Sequence, residues 1–502
     1  MKKEFETRRH EDTKKTRRIF CGFVVTLILG WSLRVSAAEY YVDADGGNDS
    51  NSGTSTKLAW KTLGPVNAKT FGAGDRVLFK AGTTFRGQVG LKGSGEKGGP
   101  IGVGMYGEGA KPRIDGEGKF LDTLLLRNGD YWEIRDLEIT NQGETTAPGR
   151  TGVHVASDNY GTMYSVHLSN LFVHDVNGDL KKEREGCGIF FDSRGGNFDD
   201  LVIEKCHVVH TDRNGICQRT QGRARSLHVV IRGNLLEDIG GDGIKLWGSD
   251  GGLVEHNVLH GGRMRCEDYA AGIWPFSCDD CVIQFNEVSG MKGTKDGQGF
   301  DSDFVCRRNI FQYNYSHDND GGFMLICSPG NSYCQGTVIR YNISQNDGQA
   351  GSSIFHFGGN SSDSLIYNNV IYVGAKVDTP LILCTDWSGG NAHHTSFFNN
   401  IFYVDGKVTY KWGKSVDTIF DSNVFFGNHV DPPKDEHGVT GRPGLVKVGS
   451  GGDGVDSVEG YKWIVGGDVM RGKIVRENGG RDFFGNVVSE KSAPSLGVEE
   501  VK

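Results

Sequence analysis

The sequence predicts an all-β protein: a single-stranded right-handed parallel β-helix, a solenoid of roughly ten or eleven coils with terminal caps. Three observations predict it. A glycine followed by apolar-x-apolar recurs as Gly152-Val153, Gly188-Ile189, Gly215-Ile216, Gly243-Ile244, Gly272-Ile273, Gly299-Phe300 and Gly322-Phe323, with Ser353-Ile354 continuing the series. Its spacing runs from 23 to 36 residues and is most often about 28, within the range of solenoid repeats. In a second register, Asn170, Asn234, Asn257, Asn286, Asn314, Asn342, Asn369, Asn400 and Asn423 each open a short strand. Stacked Asn side chains bond one another along an axis, as the interior turn of such a coil requires. The third observation is composition: 76 Gly against 11 Pro, with no long amphipathic period, describes short strands separated by many turns. Helical or leucine-rich solenoids would repeat other residue types, and a propeller would need antiparallel blades.

Taken in order, residues 1–38 read as a signal peptide, with a basic start, an apolar run over 19–31, and Ser36, Ala37 and Ala38 before Glu39. The apolar run is short for a membrane span. Within the leader, Thr16-Arg17-Arg18-Ile19-Phe20 resembles a twin-arginine export signal; the general secretory route is the alternative. The mature chain is therefore expected outside the cytoplasm, periplasmic or extracellular, and free of the membrane once the leader is cleaved. Residues 39–115 are expected to form an N-terminal cap and the first coils. Their strand-like runs, such as Tyr40-Tyr41-Val42-Asp43 and Arg76-Val77-Leu78-Phe79, resemble the opening of exported parallel β-helix proteins, carbohydrate-active ones among them. Asp43, Asp45, Asn48 and Asp49 lack the spacing of a calcium loop and read as a hydrogen-bonded turn. Residues 116–430 carry the repeats. Residues 431–502 are expected to form a C-terminal cap and tail over the last coil, an end that would otherwise be an aggregation edge.

The chain carries a formal charge of −8, and setting residues 1–38 aside leaves 46 Lys and Arg against 59 Asp and Glu. Such an acidic protein is a poor general binder of nucleic acid, and a monomer is expected. Ten of the 11 Cys lie beyond the leader, an even number that permits disulfides in an exported chain. Cys278 and Cys306 occupy nearly the same place in successive repeats, close enough to bridge if the coils stack, with the pairing left open. Cys278-Asp279-Asp280-Cys281 is half of a zinc knuckle without a second half, so no metal is assigned there.

If the repeat glycines stack, coils lie about 4.8 Å apart and each strand position becomes a row along one face. Val153, Ile189, Ile216, Ile244, Ile273, Phe300, Phe323 and Ile354 then point inward. The first outward row reads His154, Phe190, Cys217, Lys245, Trp274, Asp301, Met324 and Phe355. The second reads Ala156, Asp192, Arg219, Trp247, Phe276, Asp303, Ile326 and Phe357. Asp301 and Asp303 thus share a face at roughly 6.5 to 7 Å. Asp is a poor strand former, so a pair in mid-strand is either a solvated acidic face or a carboxylate pair for acid and base chemistry on a sugar. Trp274, Phe276, Lys245 and Trp247 beside them favour chemistry, because ring faces stack on the apolar face of a pyranose. Packing under a loop is the alternative for Phe276. Asp296 and Asp320 come nearest the pair and are expected to tune it. Asp242, Glu267, Asp268 and His317 in the entering loops, with Arg219 and Arg265 from a local basic group, complete the expected substrate site.

The run Gly241-Asp242-Gly243-Ile244-Lys245-Leu246-Trp247, followed by Gly297-Gln298-Gly299-Phe300-Asp301 and by Gly321-Gly322-Phe323, resembles the framework of family nine pectate lyases. That resemblance implies a polysaccharide-active β-helix. It departs at both decisive places: Lys245 stands where the family has a calcium-binding Asp, and Asp301 where it has a Lys base. The clustered Asp301, Asp303 and Asp320 are similar to the acids of inverting β-helix glycosidases, whose Asn-Thr-Asp and Arg-Ile-Lys motifs are absent. The expectation is an exported glycoside hydrolase that needs no cofactor and uses Asp301 and Asp303, with inversion favoured by their spacing. Its substrate would be a polysaccharide or oligosaccharide, plant or algal and anionic in one version. Two alternatives stand beside it. One is a uronate lyase in which the acids hold Ca²⁺ and Lys245 takes the proton; the other is a non-catalytic carbohydrate-binding or cell-surface β-helix.

Overall fold

Short strands, most of them of three to eight residues, wind around one interior, as the glycine and asparagine registers require. The structure, a computed structural model, describes residues 37–182 and 186–502. The leader, apart from Ala37 and Ala38, lies outside the described residues. The chain is a right-handed parallel β-helix. One face is a sheet whose main path holds fourteen strands, from Glu39–Val42 to Ile419–Asp421; eleven of them lie at or beyond Trp132–Arg135. The other two faces are parallel columns linked coil to coil. No helix among the described residues is long and apolar enough to cross a membrane. Asp43 accepts the backbone N–H groups of Asp45 and Gly46 in its own turn, whereas Asp49 reaches across the loop to accept those of Lys61 and Thr62.

The asparagine ladder is continuous from Asn234 to Asn423. Each side-chain amide donates to the next Asn Oδ1 at 2.8 to 3.0 Å, and the Asn423 amide ends the ladder on Asp435 at 2.7 Å. Asn170 is not part of it. It occupies the preceding corner position, in the left-handed region at φ 52°, and its amide bonds Asp136; Leu171 takes the interior place. Corners of this kind recur at Tyr313, Tyr341, Asn368 and Asn399, all with positive φ.

Val153, Ile189, Ile216, Ile244, Ile273 and Phe300 stack inward in register. One coil later the register slips by one residue: Met324, not Phe323, pairs with Phe300, and Phe355 follows Met324. The cause is the glycine doublet. A Cβ on Gly321 would fall 2.1 Å from the Gly297 carbonyl carbon, and one on Gly322 1.8 Å from Ser353 O, so both residues are consumed in the corner. Met324, Ile326, Phe355 and Phe357, expected outside, are core residues, and Cys327 takes the outward place beside Asp303.

All ten described cysteines are buried, and Cys278 and Cys306 are both thiols. Cys306 stacks on Cys334 within the core wall, and the bridge that the repeat spacing permitted between Cys278 and Cys306 is not formed. The C-terminal segment does more than cap the last coil. It runs back along one face, where Gly454 N–H donates to Glu287, Gly451 exchanges bonds with Gln345, and Tyr461 donates its hydroxyl to Gln345 Oε1 at 2.8 Å.

Candidate active site

On the face built from strands Ile244–Trp247, Ile273–Phe276, Phe300–Ser302 and Met324–Ser328, the outward side chains enclose a cavity of about 720 Å³. Its lining contains Asp296, Asp301, Asp303, Lys245, Trp247, Trp274, Phe276 and Arg219, all expected there. It also contains Lys182, Tyr269, Phe304, Cys327 and Trp387, which sequence reasoning missed. The volume is that of a small-molecule or oligosaccharide site.

The acids are not a solvated face. Asp301 is only 3% exposed and Asp303 9%, while Asp296 keeps more accessible surface toward the cavity. One oxygen of Asp301, one of Asp303 and the Cys327 sulfur lie within 4.8 Å of one another, tighter than the backbone spacing suggested. Burial pushes the Asp301 carboxyl well above the usual carboxylate range, and Asp303 and Asp296 add to the effect. Burial also raises Asp303, but there the Lys182 ammonium, the Phe304 N–H, the Cys327 thiol and Lys245 oppose it. Asp296 is pushed up to about 7, by burial first and then by Asp303 and Asp242, against Lys182 and Arg263.

Asp303 is pinned by one oxygen. Phe304 N–H donates to its Oδ1 at 2.8 Å and the Cys327 thiol reaches the same atom at 3.2 Å. The register slip at Gly322 is what delivers that thiol.

The aromatic wall is held from behind. Asp242, fully buried, accepts the Trp274 indole N–H and the Ala271 N–H on Oδ1, each at 3.0 Å, and meets Arg213 at 3.1 Å through Oδ2. Burial raises Asp242, but Arg213, Lys182 and Lys245 outweigh it and hold the carboxylate below its ordinary range. Lys182 and Lys245 place their ammonium groups 4.9 and 5.2 Å from a Trp274 ring centre, and Arg219 pairs with Asp192 at 2.9 Å. Asp242 is thus a support of the wall, where contact with substrate was expected.

Five expected residues stand elsewhere. Asp320 accepts Gly293 N–H in a corner. His317 is buried on another face between Glu287 and Asp318. Arg265 is tied to Asp212 and Asp238. Glu267 is exposed on its loop. Asp268 accepts the Lys182 backbone N–H at 2.6 Å and faces Arg213. Loop acids near a site in sequence are often turn and anchor residues, and these are.

The donors around the acids do not suit calcium. Calcium takes six to eight oxygens, whereas here a thiol stands between two carboxylates and the Lys245 side chain lines the same cavity.

The fold and this cavity define the protein as a right-handed parallel β-helix with buried carboxylates in an aromatic-walled site. Residues 187–371 match the family described as right handed beta helix region. The chain is similar to the lacto-N-biosidase of Bifidobacterium longum subsp. longum, at 28% identity over 592 positions, covering 93% of this chain and 36% of the relative. It therefore spans just over a third of that relative's length. The crystal structure of the GH136 lacto-N-biosidase from Eubacterium ramulus superposes with a TM-score of 0.61 at 27% identity, over 76% of this chain and 68% of that one. Pectate lyase Pel9A matches at TM-score 0.43 and 15% identity, over 93% and 98%.

Proposed function

We propose that the protein is an exported glycoside hydrolase that cleaves a lacto-N-bioside or a closely related oligosaccharide. The observation that carries this reading is the pinned Asp303: with Oδ1 held by two donors, Oδ2 is left as the one oxygen free to attack an anomeric carbon. Similarity to two lacto-N-biosidases supports the substrate class.

In this reading Asp303 is the nucleophile and Asp296 the acid and base. Asp296 is the most accessible of the three acids, and a carboxyl at about 7 carries its proton at mildly acidic pH. Asp303 Oδ2 bonds to the anomeric carbon as the glycosidic C–O bond breaks and the leaving oxygen takes the Asp296 proton. Water then attacks the same carbon and gives its proton to Asp296, and Asp303 departs as carboxylate. Asp301 stays protonated beside Asp303 and keeps a second negative charge out of the site. Two displacements retain the anomeric configuration. The inverting expectation required a water between Asp301 and Asp303, and oxygens within 4.8 Å leave less than the roughly 6.5 to 9.5 Å that such a water needs. Trp247, Trp274 and Phe276 give the cavity the aromatic lining that a sugar's apolar face packs against.

The test is incubation with an aryl lacto-N-bioside and a panel of neutral and acidic polysaccharides, scored for new reducing ends and for unsaturated-sugar absorbance. Reducing ends that vanish in Asp303→Asn and Asp296→Asn support the reading. Unsaturated product that vanishes in Lys245→Ala would replace it with a lyase.

A further inference from the structure

The second outward row passes from Arg219 through Trp247 and Phe276 to Asp303 and Cys327, and in the next coil it loses its side chain at Gly358. The vacant place is filled from elsewhere. A Cβ on Gly358 would lie 2.8 Å from both Cε2 and Cζ2 of Trp387, so the indole occupies the space that the row's next side chain would take. Trp387 follows Thr385, the residue paired with Gly358 one coil later, and folds back over it. Its backbone is fixed there: Gly330 N–H donates to Trp387 O at 2.9 Å, and Trp387 and Gly390 exchange N–H···O bonds at 3.2 and 3.0 Å. The ring meets Phe304 and His356 edge to face, at 6.4 and 5.8 Å between centroids.

The cavity is therefore asymmetric about Asp303. Toward the later coils the indole stands two coils away, about 10 Å, room for one or two pyranose rings. Toward the earlier coils the row continues as the side chains of Phe276, Trp247 and Arg219, carried on the strands themselves. We infer that Trp387 is a specificity-determining residue: it ends the cleft on the later-coil side and sets the length of glycan accepted there. This inference rests on the glycosidase reading of the site.

Two substitutions move the wall in opposite directions. Trp387→Ala removes it. Gly358→Ala leaves it intact but drives it into the cavity, because the nearest atoms to that Cβ are the indole carbons at 2.8 Å, ahead of Cys327 Cβ at 3.1 Å, and Gly358 has no left-handed backbone to strain. The substrates are two series built on lacto-N-biose, one extended by one to three sugars at the non-reducing end, the other at the reducing end. For the parent protein, kcat/KM is expected to fall by roughly tenfold or more past a sharp length in one series only. Trp387→Ala is expected to abolish that drop, and Gly358→Ala to raise KM for the shortest substrate several-fold, with both variants melting cooperatively. An unchanged length ratio in Trp387→Ala, or an unchanged KM in folded Gly358→Ala, overturns the inference. Hydrolysis of neither series contradicts the glycosidase reading instead. The wall is then judged by calorimetric binding of the same series, where an unchanged length preference in Trp387→Ala overturns it.

Discussion

The Cys327 sulfur lies 3.2 Å from Asp303 Oδ1 and 3.9 Å from the nearest Asp301 oxygen, so one thiol proton is placed where two buried carboxyl groups meet. Burial and the flanking acids push that thiol well above its ordinary range, so it remains a donor. A donor aimed at the charged form of Asp303 lowers that carboxyl's affinity for its proton.

Cys327→Ala is accordingly expected to raise the Asp303 pKa and move the acidic limb of the kcat/KM profile to higher pH, with kcat down roughly tenfold to a hundredfold. Cys327→Ser restores a donor and should recover most of the loss. A pH series of kcat/KM on the two variants checks both.

Asp296, pushed up to about 7, predicts the other limb. The working form is protonated, so activity should be full below that value and fall as pH rises through it. Asp296→Asn should remove the alkaline limb and reduce kcat about a hundredfold or more, least for substrates whose leaving group needs no proton. Aryl glycosides of graded leaving-group acidity provide the measurement.

His317 gives a pH dependence of stability that is separate from activity. Burial lowers its pKa, but Asp318 and Glu287 outweigh that and raise it to about 9 from an ordinary 6.5. The folded state thus holds this proton more tightly than the unfolded state. The resulting stabilisation is fully present below about 6.5 and is lost as pH rises through about 9. Thermal melts between those values should show a declining Tm, and His317→Gln should flatten the decline.

Asn314 tests the ladder. Its amide donates to Asn342 Oδ1 and Ile283 O, and its own Oδ1 accepts two N–H groups from Asn286. Asn314→Ala strands several buried polar groups and should cost about 2–5 kcal/mol, read as a shifted denaturant midpoint.

Much of this architecture was written in local sequence. The glycine register placed Lys245, Trp274 and Asp301 on one face because strand side chains alternate strictly and parallel coils repeat every few ångströms. It failed at Gly321-Gly322, where a 23-residue coil used both glycines in its corner and shifted every later row by one. Lys182, Tyr269, Phe304 and Trp387 were invisible for a different reason: they come from loops, whose length and path follow no repeat. Only the missing side chain at Gly358 hinted that a ring from elsewhere would cover that place. The cysteine pairing misled because stacked buried thiols and disulfides share one spacing signature.

The central claim, that Asp303 bonds to the sugar while Asp296 handles the proton, is tested most directly by mass spectrometry of Asp296→Asn quenched during turnover of an aryl lacto-N-bioside. With proton transfer from Asp296 removed and a leaving group that needs none, the glycosyl-enzyme should accumulate. One added glycosyl unit, mapped by peptide sequencing to Asp303, and a product of retained anomeric configuration are expected. A product of inverted configuration with no adduct, or an adduct on any other residue, would contradict it.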